Sequence, residues 1–367
     1  MPIARRRSSS RDALSAFRTS QDVGVQSLLV VPDLLRGFGV DPAAVLARAK
    51  VEPRWMRPSA AHIPFDAAHR VAFECASATG CPHFGLLVGQ RVGMAATGTL
   101  GELARQSTTV RSALRMFCAH LQIQDRGAVA YLRERKGREI EFVYQIFHPQ
   151  APGRDQLLDV ALPVMNAFMR TLCGRDWAPT EVTVAHRRPR QVAPYESILS
   201  APVRFDAPRT ALVFPKRLLD RRIAGARATE HRRLARLVAE IEASAPPTVT
   251  EYVARALARM VLDEAPSEHR LARMLAISPR TLRRRLAAEG TSVKAVTAEV
   301  RGEIARQLLA ETRMPVHEIA STLNYSGPGA FSRAFKGWTG TAPQRYRMAT
   351  HRNPQAADDA CMPRSKA

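Results

Sequence analysis

Lysine is scarce in this chain: of 55 Lys+Arg residues, only Lys50, Lys136, Lys216, Lys294, Lys336 and Lys366 are lysines. Aromatic residues are sparse too, at 6%, too few and too regularly placed for a platform that stacks single-stranded bases. No run of 18 uncharged apolar residues occurs, so no segment reads as a membrane span and no membrane partner is expected. The five cysteines (Cys75, Cys81, Cys118, Cys173 and Cys361) are odd in number and scattered, which suits a reducing compartment and excludes a disulfide scaffold. The opening MPIARRRSSSRDALSAFRTS is basic without a continuous apolar stretch and does not read as a signal peptide. A Gly-rich phosphate loop, a G-x-S-x-G elbow and an H-E-x-x-H pair are all missing. The expectation is a soluble, cytoplasmic, non-enzymatic protein without a cofactor.

What is there is arginine. Lys+Arg outnumber Asp+Glu by 55 to 33, for a formal charge of +22, and that excess points to a polyanionic partner, nucleic acid first. At 46% hydrophobic and 24% charged residues the chain is too apolar to be disordered. Its 367 residues leave room for about two domains. Cys75, Cys81 and His83, with His62 and His69 nearby, match no compact zinc spacing, so no metal site is expected.

Residues 1–27 read as a disordered basic tail, and residues 28–225 as an α+β domain for ligand sensing or dimerisation. Asp41-Pro42 and Asp66 open helices there, and Val110, Ala113, Leu114, Phe117 and Leu121 mark the buried face of another. Ala128–Leu132 and Glu139–Phe147 read as a hairpin turning at Lys136-Gly137. In its second strand Ile140, Phe142, Tyr144 and Ile146 alternate with Glu139, Glu141, Val143 and Gln145. A loop over Pro149–Gly153 leads to an apolar helix, Leu157–Leu172, interrupted by Pro163. Glu181–His186 and Ala211–Phe214 are two further strands. Tyr131, Phe142, Tyr144 and Phe147 either line a small-molecule pocket or form the core of the sheet. Residues 226–248 read as a helical linker with Leu234, Leu237, Val238 and Ile241 on one face, a candidate dimer surface; Leu157–Leu172 is another, for which interior packing is the stronger reading. Ser244–Thr248, with its two prolines, is the domain boundary, and Thr248-x-x-Glu251 is a capping box. Residues 249–348 read as all-helical, and residues 349–367 as a disordered tail.

The helical part repeats itself. Leu271–Leu286 (LARMLAISPRTLRRRL) aligns with Ile319–Phe335 (IASTLNYSGPGAFSRAF) at an offset of 48 before the turn and 49 after it. Each copy has a short helix with a small residue at the crossing (Ala272, Ala320), a turn, and a second helix burying Leu282/Leu286 or Phe331/Phe335. That is the organisation of a helix-turn-helix. In the first copy the outward face carries Arg280, Arg283, Arg284 and Arg285, and the planar fork of arginine suits guanine edges and phosphates. Between the copies, Thr291–Glu311 reads as a rod of about 30 Å, close to the ~34 Å that separates successive major grooves on one face of DNA.

Residues 250–347 resemble the DNA-binding domain of the AraC/XylS family of bacterial transcription regulators. The resemblance is carried by SPRTLRRRLAAEGTS, VRGEIARQLLAET and IASTLNYSGPGAFSRAFKGWTGTAP followed by QRYR. Upstream, GVDPAAVLARAKV, FGLLVGQRV, LGELARQSTTVRSALRMF, CGRDWAPTEVTVAH and APVRFDAPRTALVFPKRLLDRRI resemble the arabinose-binding-like N-terminal domain of one branch of that family. The resemblance implies a sequence-specific regulator with two helix-turn-helix motifs joined by a linker helix. Its implied partners are double-stranded DNA, RNA polymerase, an unidentified small-molecule effector and a second copy of the chain. By position in the motif, Arg280, Arg283, Arg284, Ser332 and Arg333 are base-contact candidates, and Arg285, Lys294 and Lys336 phosphate-contact candidates. Two features depart from the family pattern. Gly327 and Gly329 stand where polar residues are more usual, which marks the second unit as the weaker reader, and Met314 ahead of Pro315 is a poor helix cap. The alternative is an architectural DNA-binding protein of low specificity, suggested by the charge. A repair alkyltransferase with a regulator-like tail is disfavoured, because Cys81-Pro82-His83 only permutes the order its nucleophile needs.

Overall fold

The computed structural model describes residues 22–57, 61–135, 137–147, 153–263 and 266–351, and regular structure is present ahead of the expected start at Leu28. Strand β1 (Asp22–Gly24) pairs antiparallel with β2 (His62–Pro64), Val23 lying opposite Ile63. Residues 22–27 are therefore not tail, and a three-residue strand tied to a partner forty residues away leaves no periodic trace in sequence. Short helices α1 (Gln26–Leu29), α2 (Val31–Gly37) and α3 (Pro42–Arg48) follow. Asp41 caps α3 as expected, accepting from the amides of Ala43 and Ala44 at 3.1 and 3.2 Å. Helix α4 (Phe65–Thr79) has Pro64 at its N-cap position and no side-chain cap, while Asp66 stands in the first turn, where its charge complements the helix dipole.

Next come α5 (Phe84–Val92), α6 (Gly98–Arg105) and α7 (Val110–His120). The expected hairpin forms from β3 (Ala128–Arg135) and β4 (Glu139–Ile146), but Arg135 lies opposite Glu139, one residue beyond the pairing that a turn on Lys136-Gly137 alone would set, and both Gly137 and Arg138 are at positive φ. Lys136 and residues 148–152 of the expected loop lie outside the described residues. Helix α8 (Arg154–Cys173) runs unbroken through Pro163, against expectation. Its packing supplies the reason: a Cβ on Gly85 would stand 2.2 Å from the carbonyl oxygen of Gln156, and one on Gly89 only 2.3 Å from that of Val160. The glycine seam brings α5 against the α8 backbone in the turns ahead of the proline, and against the proline ring itself, 3.0 Å from a Cβ on Gly89; that packing outweighs one lost hydrogen bond.

Strands β5 (Glu181–Thr183), β6 (Val203–Arg204) and β7 (Thr210–Pro215), with helix α9 (Ala193–Leu199) between β5 and β6, complete a five-stranded sheet of order β3-β4-β7-β5-β6. It is antiparallel except where β6 lies beside β5. The strand expected at Glu181–His186 ends at Thr183, and His186 lies in the following loop. One face of the sheet, with Ala130, Ile140, Phe142, Leu212 and Phe214, packs on α7 and α8. Helix α10 (Ala228–Ser244) adds Leu234 and Val238 to the same core. The expected linker is thus part of the amino-terminal body, and those two residues offer no dimer surface.

The opposite face also disappears from solvent. Val129, Tyr131, Val143, Phe147 and Ala211 join the core of the carboxy-terminal helices. Glu141 and Gln145, which alternate with the apolar residues of β4, are buried beside them. Glu141 pairs with Arg133 at 2.9 Å, and the Tyr131 hydroxyl donates to Gln145 at 3.3 Å.

Among the described residues, seven helices make up the remainder: α11 (Val249–Met260), α12 (Glu268–Met274), α13 (Pro279–Ala288), α14 (Val293–Glu311), α15 (Val316–Thr322), α16 (Pro328–Thr339) and α17 (Pro343–His351). The last runs past residue 348, so residues 349–351 are helix and not the expected tail; residues 352–367 lie outside the described residues. At the start of α11 the capping box forms as the sequence indicates, with Thr248 and Glu251 exchanging hydrogen bonds. Glu289, from the end of α13, accepts the amides of Val249 and Thr250 at 3.0 and 2.8 Å. Four amides that the first turn leaves open are thereby satisfied.

Candidate nucleic-acid interface

The two turns are the same object built twice. In the first, the amide of Leu275 bonds to the carbonyl of Leu271, Ala276 to Arg273 and Ile277 to Ala272, at 3.2, 3.0 and 3.0 Å. In the second, Leu323 bonds to Ile319, Asn324 to Ser321 and Tyr325 to Ala320, at 3.0, 3.0 and 2.9 Å. Both pivot on a left-handed residue, Ala276 at φ 51° and Asn324 at φ 59°, in register with the sequence repeat. Asparagine tolerates that conformation, whereas alanine is strained there by about 1–2 kcal/mol. Ala276 is exposed and loses no packing on truncation. Ala276→Gly is therefore expected to raise stability by about 0.5–1 kcal/mol in urea unfolding, after the entropic cost of glycine; a lower midpoint would contradict the strain.

Helix α13 starts as its sequence specifies: Ser278 caps it, accepting from the Thr281 amide at 3.1 Å, and Pro279 takes the first position. Leu282 and Leu286 are fully buried, which leaves Arg280, Arg283, Arg284 and Arg285 exposed on the remaining surface. Arg280, Arg283 and Arg284 share one side of the helix by their i, i+3, i+4 spacing. The Arg283 Nε stands 2.9 Å from the Glu268 carboxylate on α12, an orienting contact that the sequence reading missed because Glu268 lies outside the repeat. In the second unit Phe331 and Phe335 are buried, Arg333 and Lys336 are exposed, and Ser332 is half-buried. Helix α16 has no side-chain cap, and neither does α15 after Met314-Pro315. A Cβ at Gly327 would meet nothing, and one at Gly329 only the Arg333 guanidinium at 3.8 Å. Internal packing therefore does not require either glycine, and the helix start is sterically open.

Both units are spaced by α14, whose 19 residues span about 28 Å. Lys294 is exposed near its start. Its far end is held by arginines of the amino-terminal body. Arg154 pairs with Glu311 at 2.8 Å, and Arg187 donates to the carbonyl of Ala310 at 2.9 Å, cations placed where the helix dipole is negative. Further along the same contact, Arg255 of α11 is buried and donates to the carbonyls of Arg126 and Ala128 at 2.8 and 3.2 Å. Burial lowers its pKa to about 10. Arg133 and Arg209 both bind Asp263, at 2.6 and 2.7 Å. These five arginines, which composition alone assigns to a polyanion, are thus spent on joining the two bodies. In sequence the only sign is an arginine set among Val253, Ala254, Ala256 and Leu257.

Cys75, Cys81, Cys118 and Cys173 are all buried. Burial pushes the thiols of Cys75 and Cys118 up to about 12 and that of Cys173 to about 11, so these three stay protonated and unreactive. Among the described residues no group of three or more His, Cys, Asp or Glu is placed to hold a metal ion. No described helix is long and apolar enough to cross a membrane.

A family model described as the arabinose-binding domain of AraC transcription regulator, N-terminal, matches residues 39–223, and one described as a helix-turn-helix domain matches residues 271–349. The chain is similar to the ornithine utilization regulator of Pseudomonas aeruginosa, 25% identical over 339 residues that cover 90% of this chain and 98% of that one. It is similar also to the HTH-type transcriptional regulator VirS of Mycobacterium tuberculosis, 27% identical over 322 residues that cover 86% and 93%. The crystal structure of the transcriptional regulator CdpR from Pseudomonas aeruginosa matches at 25% identity and a TM-score of 0.40, over 83% of this chain and 96% of that chain.

Proposed function

This chain belongs to the AraC/XylS family of DNA-binding transcription regulators and is not an enzyme, and on that premise we propose that each subunit reads two adjacent major-groove segments. The observation that carries the reading is the duplicated turn, repeated at 48 residues with exposed arginines on the helix that follows the first copy. Arg285, Lys294 and Lys336 contact phosphates and fix register. Arg280, Arg283 and Arg284 read base edges from α13, and Ser332 and Arg333 do so from α16. The open glycines at the start of α16 let a phosphate approach its free amides. Residues 28–225 form the sensing or dimerisation body, extended here to residue 22 and joined by 226–248. A small molecule bound there shifts the balance between two states of different DNA affinity. A homodimer acting with RNA polymerase in a bacterial cytoplasm completes the proposal.

Residues 249–347 hold 16 Lys+Arg against 9 Asp+Glu, too modest an excess to rely on charge alone. Arg283→Ala is expected to weaken binding to the cognate site by about 1–3 kcal/mol while leaving binding to random duplex nearly unchanged. Competition against random duplex at about 0.15 M salt checks this. Equal losses on both DNAs would remove Arg283 from the base-reading set, and no preference for any site would favour the architectural alternative.

A further inference from the structure

A cavity of about 150 Å³ lies inside the amino-terminal body, between α4, α5, α8 and the sheet. Val71, Phe84, Val88, Phe117, Phe142 and Met165 are among its walls. An apolar cavity of about that size admits a molecule such as benzene. No lysine, arginine or histidine lines it among the described residues, and its single carboxylate is Asp125. Asp125 is buried and accepts from the Tyr144 hydroxyl and, at 3.0 Å, from the Gly127 amide. Burial raises its pKa to about 6. Several of the other polar groups on the wall already have protein partners. Gln156 binds the Gly85 amide at 2.9 Å and the Pro82 carbonyl at 2.7 Å, Gln124 binds Gln26 at 2.9 Å, and Thr97 binds the Met94 carbonyl at 2.7 Å.

We propose that this cavity is the effector site, and that it takes a small, mostly apolar molecule of one ring and a short side chain, with a neutral or cationic hydrogen-bonding end set against Asp125 and Tyr144. The proposal rests on the reading that a small molecule controls the protein. An organic anion is unfit, because it brings a second negative charge beside Asp125 with no cation on the wall to compensate. A sugar is unfit as well, since most of its hydroxyls would face carbon or polar groups already bonded. The position suits an effector: the backbone that follows Asp125 is gripped from its other side by Arg255, through the carbonyls of Arg126 and Ala128, so an occupant sits one residue from a contact made by α11.

The test uses the full chain and four probes, benzyl alcohol, benzylamine, benzoate and xylose, each at up to about 10 mM. Calorimetric titration and thermal shift are expected to give saturable binding of benzyl alcohol and benzylamine, and none of benzoate or xylose. Ala161→Phe and, separately, Ala72→Leu fill the cavity and are expected to abolish that binding in whichever variant melts cooperatively. Asp125→Asn is expected to weaken benzylamine at least tenfold relative to benzyl alcohol. The proposal is overturned by absence of binding from both favoured probes, by equal binding of benzoate or xylose, or by binding that survives a filled cavity. DNA binding measured on the same preparations keeps the two readings apart: retained DNA binding without probe binding sinks this site alone.

Discussion

Replacing Asp159 by alanine is expected to cost about 3–5 kcal/mol of stability near pH 6, and distinctly less near pH 8.5. His186 is buried with Nε2 3.0 Å from the Asp159 carboxylate and Nδ1 2.9 Å from the carbonyl of Arg187. Both ring nitrogens face acceptors, so both carry protons and the ring is a cation. Tyr195 donates to the second carboxylate oxygen at 2.7 Å. Burial opposes the charge on His186, but the neighbouring Asp159 carboxylate and its hydrogen bond outweigh that and hold the pKa up at about 9. The folded chain thus binds this proton more tightly than the unfolded chain, whose histidine titrates near 6.5. The resulting stabilisation is complete below about pH 6.5 and is lost as pH climbs through about 9. Without Asp159 the ring must give up its proton to stay buried, so the loss is greatest where the wild type gains most. Urea unfolding at the two pH values measures it; equal losses, or a loss under about 1 kcal/mol, would show that the pair is not an ionic one.

Phe335→Ala is expected to cost about 3–5 kcal/mol and to remove one half of the DNA footprint. Its ring is fully buried, with centroids 5.8 Å from Phe331, 6.4 Å from Trp338 and 5.3 Å from Tyr346. The second unit is therefore an aromatic cluster with one ring at its centre, and neither α15 nor α16 has a side-chain cap in reserve. The first unit rests on Leu282 and Leu286 and is tied to α11 through Glu289, so the damage stays with α15 and α16. Protection mapping on a cognate site, alongside a melting curve, reads both effects. An undiminished footprint in the destabilised variant would mean that the second unit does not touch DNA.

The elements that were legible in the sequence are those fixed by neighbours in the chain. The capping box at Thr248, the cap at Ser278, the hairpin across residues 128–146 and the repeat at 48 all follow from local spacing. The elements that were not legible depend on partners far away. Pro163 reads as a break until Gly85 and Gly89 are seen pressed against the same helix. Glu141 and Gln145 show in sequence only that they alternate with apolar residues, not that the carboxy-terminal helices cover their face. Leu234 and Val238 read as a linker stripe for the same reason, since an amphipathic pattern states that a face is covered and never by what. At the interface, the exposed arginines of α13 were legible because their helix also carries the repeat. Glu268 and the joining arginines were not, because an arginine aimed at a backbone carbonyl looks no different in sequence from one aimed at phosphate.

The sheet face beneath α11 also bears on how this polypeptide can be handled. Severing it at Pro246-Pro247 would bare Val129, Tyr131, Val143, Phe147 and Ala211 on one fragment and the apolar side of α11 on the other. Each product would carry a raw hydrophobic plane and tend to self-associate, so the two bodies are best kept joined for solution work.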